Sequence, residues 1–198
     1  MRSARSLNKQ AEPFFARTVV LVEGLSDKAA VEALALRDGR DLEAERIAIV
    51  PIGGAQAIGN FLDRFGPRGL DLTLAGLCDA GEERNFQRGL ERAGLGSNLA
   101  RADLEELGFY VCVADLEDEL IRALGASSVE QIVAAQGELG SFRTLQTQPA
   151  HQGRTIEQQL WRFMGSGSGR KIRYAALLVN ALARTEVPRP LDRVLADL

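Results

Sequence analysis

The sequence predicts an α/β fold: a Rossmann-like, four-stranded parallel sheet flanked by helices, with a C-terminal helical extension. One grammar recurs four times, a short apolar run, then a turn, then a stretch of helical spacing. The apolar runs are nearly continuous, as in parallel strands buried on both faces. After residue 125 the strand signal stops and only helical spacing remains. With 198 residues, 45% of them hydrophobic, the chain can bury one sizeable core.

The first strand is read over residues 18–22, TVVLV. Ser26 is the expected N-cap of the next helix, whose stripe of Ala29, Ala30, Ala33 and Leu34 stops before Asp38-Gly39. The second strand, residues 46–51, runs into Ile52-Gly53-Gly54, after which Ile58, Phe61, Leu62 and Phe65 recur at helical intervals. The third, residues 70–78, leads through Asp79-Ala80-Gly81-Glu82-Glu83 into a helix bearing Phe86, Leu90 and Ala93. The fourth, residues 109–114, leads through Asp115-Leu116-Glu117-Asp118 into a helix with Leu120, Ile121 and Leu124. Further helices are expected over residues 129–135, 155–164, 171–184 and 191–198, either packed on the sheet or partly mobile. The chain thus divides into an N-terminal segment (1–17), an α/β domain (18–125) and a helical extension (126–198).

Charge is unevenly distributed. A formal net charge of -3 excludes a protein that coats nucleic acid through global positive charge. Residues 140–184 nevertheless hold Arg143, Arg154, Arg162, Arg170, Lys171, Arg173 and Arg184 against Glu157 alone, a net +6 that leaves −9 elsewhere. Two readings stay open: an acidic, metal-binding half facing a cationic half that meets phosphates, or two solvated faces. Cys78 and Cys112 sit in apolar runs, as small core residues of a reduced, cytoplasmic protein rather than zinc ligands. The basic, polar first 17 residues and the shortness of TVVLV fit neither a signal peptide nor a membrane span, so no membrane partner is expected.

Ligands of open parallel sheets bind beyond the carboxyl ends of the strands, where loops and helix N-termini converge. The acids fall there: Glu23 after the first strand, Asp79 after the third, Asp115 and Glu117 after the fourth, with Asp27 one helical turn beyond Glu23. For each of them helix capping is the competing role, and it suits Asp79 well. It suits Glu23 poorly, because glutamate caps weakly and Gly24 marks a close approach or an unusual dihedral. Carboxylates crowded into one crevice repel unless a cation neutralises them, and an all-oxygen set fits Mg²⁺ or Mn²⁺. Two such ions stabilise both the attacking and the leaving oxygen of a phosphodiester displacement.

In this order LVEGLSD, VPIGG and GLCDAGEE resemble the Toprim domain, the fold shared by topoisomerases, bacterial primases and several nucleases. More narrowly, Glu23 with an acid at Asp27, the acidic run at residues 115–119 and Lys171 about fifty residues later resemble the Toprim half of the OLD-family (overcoming lysogenization defect) nucleases. The resemblance spans roughly residues 18–178 and implies a Mg²⁺- or Mn²⁺-dependent endonuclease that nicks or cleaves DNA with two ions. It implies that Glu23 and Asp27 hold one metal, with Glu23 also a general base or acid. Asp79 would be a central ligand, Asp115 and Glu117 would serve the other metal, and Lys171 would stabilise developing phosphate charge.

One position departs from the family. Toprim proteins usually carry Asp-x-Asp after the third strand, and Gly81 stands here at the second Asp. Three outcomes stay open: Glu82 or Glu83 substitutes, one ion binds tightly and the second weakly, or the site is degenerate. OLD proteins usually carry an N-terminal ABC-type ATPase, which the 17 residues before Thr18 cannot hold, so a separately encoded ATPase is the expected partner, with a homo-oligomer as a further possibility. Residues 165–171, GSGSGRK, lack the glycine and hydroxyl that a phosphate loop needs at Arg170 and Ile172. They are expected to form a hinge presenting Arg170, Lys171 and Arg173 to a phosphate, or simply an exposed basic helix start.

Other residues receive plainer readings. His151 is expected to be exposed, and Trp161, Phe163 and Met164 to pack the helical extension rather than stack bases. Tyr110 and Tyr174 lie in a strand and a helix, outside the setting of a topoisomerase nucleophile. Three other functions compete: a binding or regulatory Toprim module with a decayed site, a small Toprim ribonuclease acting on structured RNA, and a phospho-acceptor receiver domain. The last needs an acidic pair after the first strand and a lysine after a fifth strand, and the sequence offers neither.

Overall fold

The structure, a computed structural model, describes residues 15–198, so most of the expected N-terminal segment lies outside the described residues. Strands β1 (Thr18–Val22), β2 (Ile47–Pro51), β3 (Thr73–Asp79) and β4 (Phe109–Cys112) form one parallel sheet in the order β2-β1-β3-β4. The α/β class is therefore as the sequence predicts. β3 begins three residues later than expected, after Asp71 turns the chain with a φ of 50°. β4 ends two residues early, because the Val113 amide turns to donate to Glu119 Oε1 at 2.8 Å.

Period-two alternation divides each strand between two cores. Val20, Val22, Leu77, Tyr110 and Cys112 face α1 (Leu25–Arg37) and the later helices. Val19, Leu21, Cys78, Phe109 and Val111 face α2 (Ile58–Phe65), α3 (Glu83–Ala93) and α4 (Arg101–Glu106). α1 carries the chain from β1 to β2, and α2 carries it back past β1 to β3, so right-handed crossovers put them on opposite faces. At Gly76 a Cβ would meet the Leu21 carbonyl oxygen at 2.6 Å and the Phe109 ring at 2.7 Å, so the middle of β3 has no room for a side chain.

Six further helices follow: α5 (Leu116–Leu124), α6 (Ala126–Ala135), α7 (Leu139–Thr147), α8 (Ile156–Met164), α9 (Arg170–Ala181) and α10 (Arg189–Ala196). They pack on the sheet. Phe142, Phe163, Tyr174, Leu178 and Leu191 join one continuous core with Val20 and Leu77, and each such burial stabilises by about 1.5–3 kcal/mol over exposure. α9 lies against α1. Arg37, in the last turn of α1, donates to the carbonyls of Val179 at 2.6 Å and Leu182 at 2.9 Å, which end α9. Asp27 and Lys171, at the opposite ends, also interact, so the two helices run side by side in one direction.

The helices α4 and α7 were not anticipated. Each buries only one or two side chains, Leu104 in α4 and Phe142 and Leu145 in α7, too few to set a period. His151 is a correction: it sits in a 3₁₀ turn over Pro149–His151, buried, with Nδ1 lacking a hydrogen-bond partner. Trp161 is another, since it is 40% exposed while Phe163 and Met164 are buried as expected. Among the described residues no helix is long and apolar enough to cross a membrane.

Candidate metal centre at the carboxyl end of the sheet

The strand order reverses between β1 and β3, and ligands of such sheets bind in the crevice beyond that point. Glu23 bridges it. Its Oε1 accepts from the backbone amide of Asp79, at the end of β3, at 2.7 Å. Its carbonyl oxygen accepts from the amides of Gly53 and Gly54, each at 3.1 Å. Those glycines take φ values of 76° and 112°, which a side chain would strain, so VPIGG serves to aim two N–H groups at the residue after β1.

Helix starts set the remaining acids. Gly24, not Ser26, caps α1, and its amide donates to Asp27 Oδ2 at 2.8 Å, the return bond of a residue three places into a helix. Asp115 caps α5: Oδ1 accepts from the Asp118 amide at 2.8 Å and Oδ2 from the Trp161 indole at 2.6 Å. Asp79, by contrast, caps nothing, because α3 starts later, after Glu82. Glu117 in the first turn of α5 is 2% exposed. Lys171, in the first turn of α9, brings Nζ to 3.0 Å from Glu117 Oε2 as an ion pair, while neither Glu117 oxygen has an aligned hydrogen-bond donor. Three helices, α1, α5 and α9, therefore begin at the crevice, and their amide dipoles favour negative charge there.

The crevice is short of positive charge. Burial, reinforced by Glu23, Asp27, Asp115 and Glu117, pushes the Asp79 carboxyl up to about 8. Burial and the nearby Glu117 push Asp27 up to about 7, against the opposing pull of the Gly24 amide and Lys171. Glu23 is also raised, first by burial and then by Glu82 and Asp115, although the Asp79 amide works the other way. Burial alone would lower Lys171, but Glu117, Asp115 and Asp27 outweigh it and hold the ammonium above its usual value. These mutual effects place all five expected carboxylates, Glu23, Asp27, Asp79, Asp115 and Glu117, around one crevice with Lys171.

The donor set is all oxygen, and Glu117 presents two buried oxygens answered only by the Lys171 ammonium, which fits a hard divalent cation. Four of the five side chains are turned to nearer partners, and among the described residues no three of them converge closely enough to hold an ion. Each neighbour that competes is identifiable: a backbone amide for Glu23 and Asp27, an indole for Asp115, an ammonium for Glu117.

The expected substitutes for the missing aspartate separate. Glu82 is close enough to raise Glu23 and accepts from Asn85 Nδ2 at 2.5 Å. Glu83 turns away to pair with Arg101. Gly81 itself has no positive φ, and a Cβ there would meet nothing within 4 Å, so the backbone does not demand glycine. Arg170 and Arg173, expected to bind phosphate, are engaged elsewhere. Both pair with Glu138, at 3.3 and 2.8 Å, and the Arg170 guanidinium also lies 4.1 Å from the Phe163 ring centroid. Sequence reasoning had no signal for Glu138. For Trp161 there was one: Leu160, Phe163 and Met164 form the buried stripe of α8, and Trp161 falls off it.

Residues 14–80 match the family described as overcoming lysogenization defect protein-like, TOPRIM domain. The match ends just past Asp79, before Asp115, Glu117 and Lys171 are reached. No curated protein matches the chain. Among solved structures, the C-terminal region of the Burkholderia pseudomallei OLD protein is similar with a TM-score of 0.70 at 20% identity, over 93% of this chain and 97% of that one. The C-terminal region of the Xanthomonas campestris pv. campestris OLD protein is similar with a TM-score of 0.72 at 23% identity, over 92% of each. The fold thus extends over nearly the whole chain, well beyond the segment that matches in sequence.

Proposed function

We propose that this chain, an OLD-like Toprim domain in its residues 14–80 set within the fold of the OLD C-terminal region, is a nuclease module that hydrolyses phosphodiester bonds in DNA with Mg²⁺ or Mn²⁺. One observation carries the reading: five carboxylates lie around the switch-point crevice with one ammonium there among the described residues, that of Lys171, and burial together with the neighbouring carboxylates pushes Asp27 and Asp79 up to about 7 and 8. Asp79 is the central ligand, with Glu23 and Asp27 on the sheet side and Asp115 and Glu117 on the helix side. Bound there, two divalent ions would polarise the scissile phosphate and favour ionisation of water.

The protein's own groups supply the rest. Glu23 is held in place through its backbone carbonyl as well as its side chain, and its raised carboxyl suits it to take or return a proton. Lys171 stands opposite the carboxylates, where its ammonium can face charge developing on a phosphate oxygen. Glu82, coupled to Glu23, provides the acid that Gly81 does not. An ABC-type ATPase is the partner this reading assigns, and self-association of the chain is compatible with it.

The test is nicking of supercoiled plasmid with Mg²⁺, Mn²⁺ or EDTA. Activity with either metal that is lost in EDTA, in Glu23→Ala and in Asp79→Ala supports the reading. A second reading, a non-catalytic binding module, is favoured by the absence of three converging ligands among the described residues. A folded protein inert with every metal would establish it in place of the first.

A further inference from the structure

We infer that the cavity beside Asp115 is a nucleobase subsite, in which Trp161 stacks one unpaired base of the substrate strand. The inference rests on the nuclease reading and deepens it by naming the class of nucleic acid. The cavity measures about 380 Å³ and is lined by Ala114, Asp115, Asp118, Arg154, Gln158 and Trp161. That lies at the small end of ligand sites, enough for a base and its sugar and too little for a duplex.

Its walls carry the groups that recognise a nucleotide. Trp161 stays 40% exposed, yet it is not loose, because its indole N–H donates to Asp115 at 2.6 Å. Val113, 67% exposed, lies on the turn after β4, one residue before Ala114 of the lining. Arg154 forms no ion pair among the described residues, and its Nε donates to the Ala150 carbonyl at 3.1 Å, which leaves its terminal nitrogens for a phosphate. Gln158 uses Oε1 to accept from the Thr155 amide at 3.2 Å, and its NH₂ group remains to donate to a base edge. An aromatic face beside a cation is how single strands are gripped without sequence preference, since every base offers a π-face.

Position makes this a subsite of the reaction. Asp115 is the shared wall: its charge reaches Glu23 and Asp79 in the crevice, and its side chain anchors the indole in the cavity. A strand with a phosphate in the crevice would lay a flanking base against Trp161. Bases within a duplex have both faces covered, so the substrate is single-stranded, frayed or carries a flipped base at the cut.

Trp161 is the only tryptophan, so its fluorescence reports on the cavity directly. The full chain in EDTA is titrated with oligothymidylate and with an abasic oligonucleotide of equal length. Quenching by the first, with roughly 10-fold tighter binding than the abasic strand, is expected. By anisotropy of a labelled strand, Trp161→Ala should bind about 10-fold more weakly and Trp161→Phe within about 2-fold of the parent. Equal affinity for the abasic strand, no quenching at millimolar oligonucleotide, or Trp161→Phe as weak as Trp161→Ala would overturn the inference, the last by assigning the effect to the tie on Asp115. Should Trp161→Ala not fold, the abasic comparison on the unaltered protein still decides. Binding in EDTA and metal-dependent nicking are separate measurements, so failure of either leaves the other standing.

Discussion

Glu23, Asp27 and Asp79, on the sheet side of the crevice, and Asp115 and Glu117, on the helix side, are the same chemistry under different guard. The helix side brings its own donors: an indole and a cap amide for Asp115, an ammonium for Glu117. The sheet side has only backbone amides to set against burial and its neighbouring carboxylates, which push Asp27 up to about 7 and Asp79 to about 8. The positive charge still wanting is therefore wanted at the ends of β1 and β3. On the proposed metal reading, occupancy should follow this asymmetry, with Asp79 raised by burial and by four neighbouring carboxylates.

The sharpest way to break that comparison is Asp79→Asn. Cleavage should fall by about 100-fold or more, while the metal-free protein at alkaline pH becomes more stable because a crowded charge is gone. Loss of both activity and stability, measured by nicking and by thermal melting, would show that Asp79 serves the fold rather than the metal. Next in size is Lys171→Met, which leaves Glu117 buried without its cation. Urea unfolding should register a loss of about 1–3 kcal/mol, with Mg²⁺ restoring part of it. No loss would mean that the helix side is as short of charge as the sheet side.

A smaller effect tests the sheet side by pH. The folded carboxyls of Asp27 and Asp79 titrate near 7 and 8, whereas free aspartates titrate near 4. The folded state binds the extra protons, so their contribution is complete below about pH 4 and is lost as pH rises through about 7 to 8. The melting temperature without metal should accordingly decline from about pH 5 to about pH 8.5, with Mg²⁺ flattening the decline. A flat profile without metal would remove the asymmetry. The mildest change is Gly81→Asp. With open space at the Cβ and no positive φ it should alter stability by less than about 0.5 kcal/mol, and calorimetry should find Mg²⁺ binding a few-fold tighter. Weaker binding would mean that Glu82 already fills that position.

The strands were legible because both their faces are buried, which leaves unbroken apolar runs; Thr18–Val22 was bounded to the residue. The acids at their carboxyl ends were legible because parallel topology converts sequence position into spatial position. What stayed hidden depends on contacts between distant segments. The burial of His151 and the engagement of Arg170 and Arg173 by Glu138 follow from how α7, α8 and α9 meet. No local pattern encodes those encounters, and the short, polar α4 and α7 offered no period to find.

Glu23 ties together the ends of three strands: its own β1, β2 through the glycine amides and β3 through the amide of Asp79. Such a residue has two reasons to survive. A descendant that stopped cutting nucleic acid would still need Glu23 to close its sheet, so the glutamate would outlast the activity and its presence would testify to ancestry. Asp115 and Glu117, across the crevice, tie no strand ends together and would drift first.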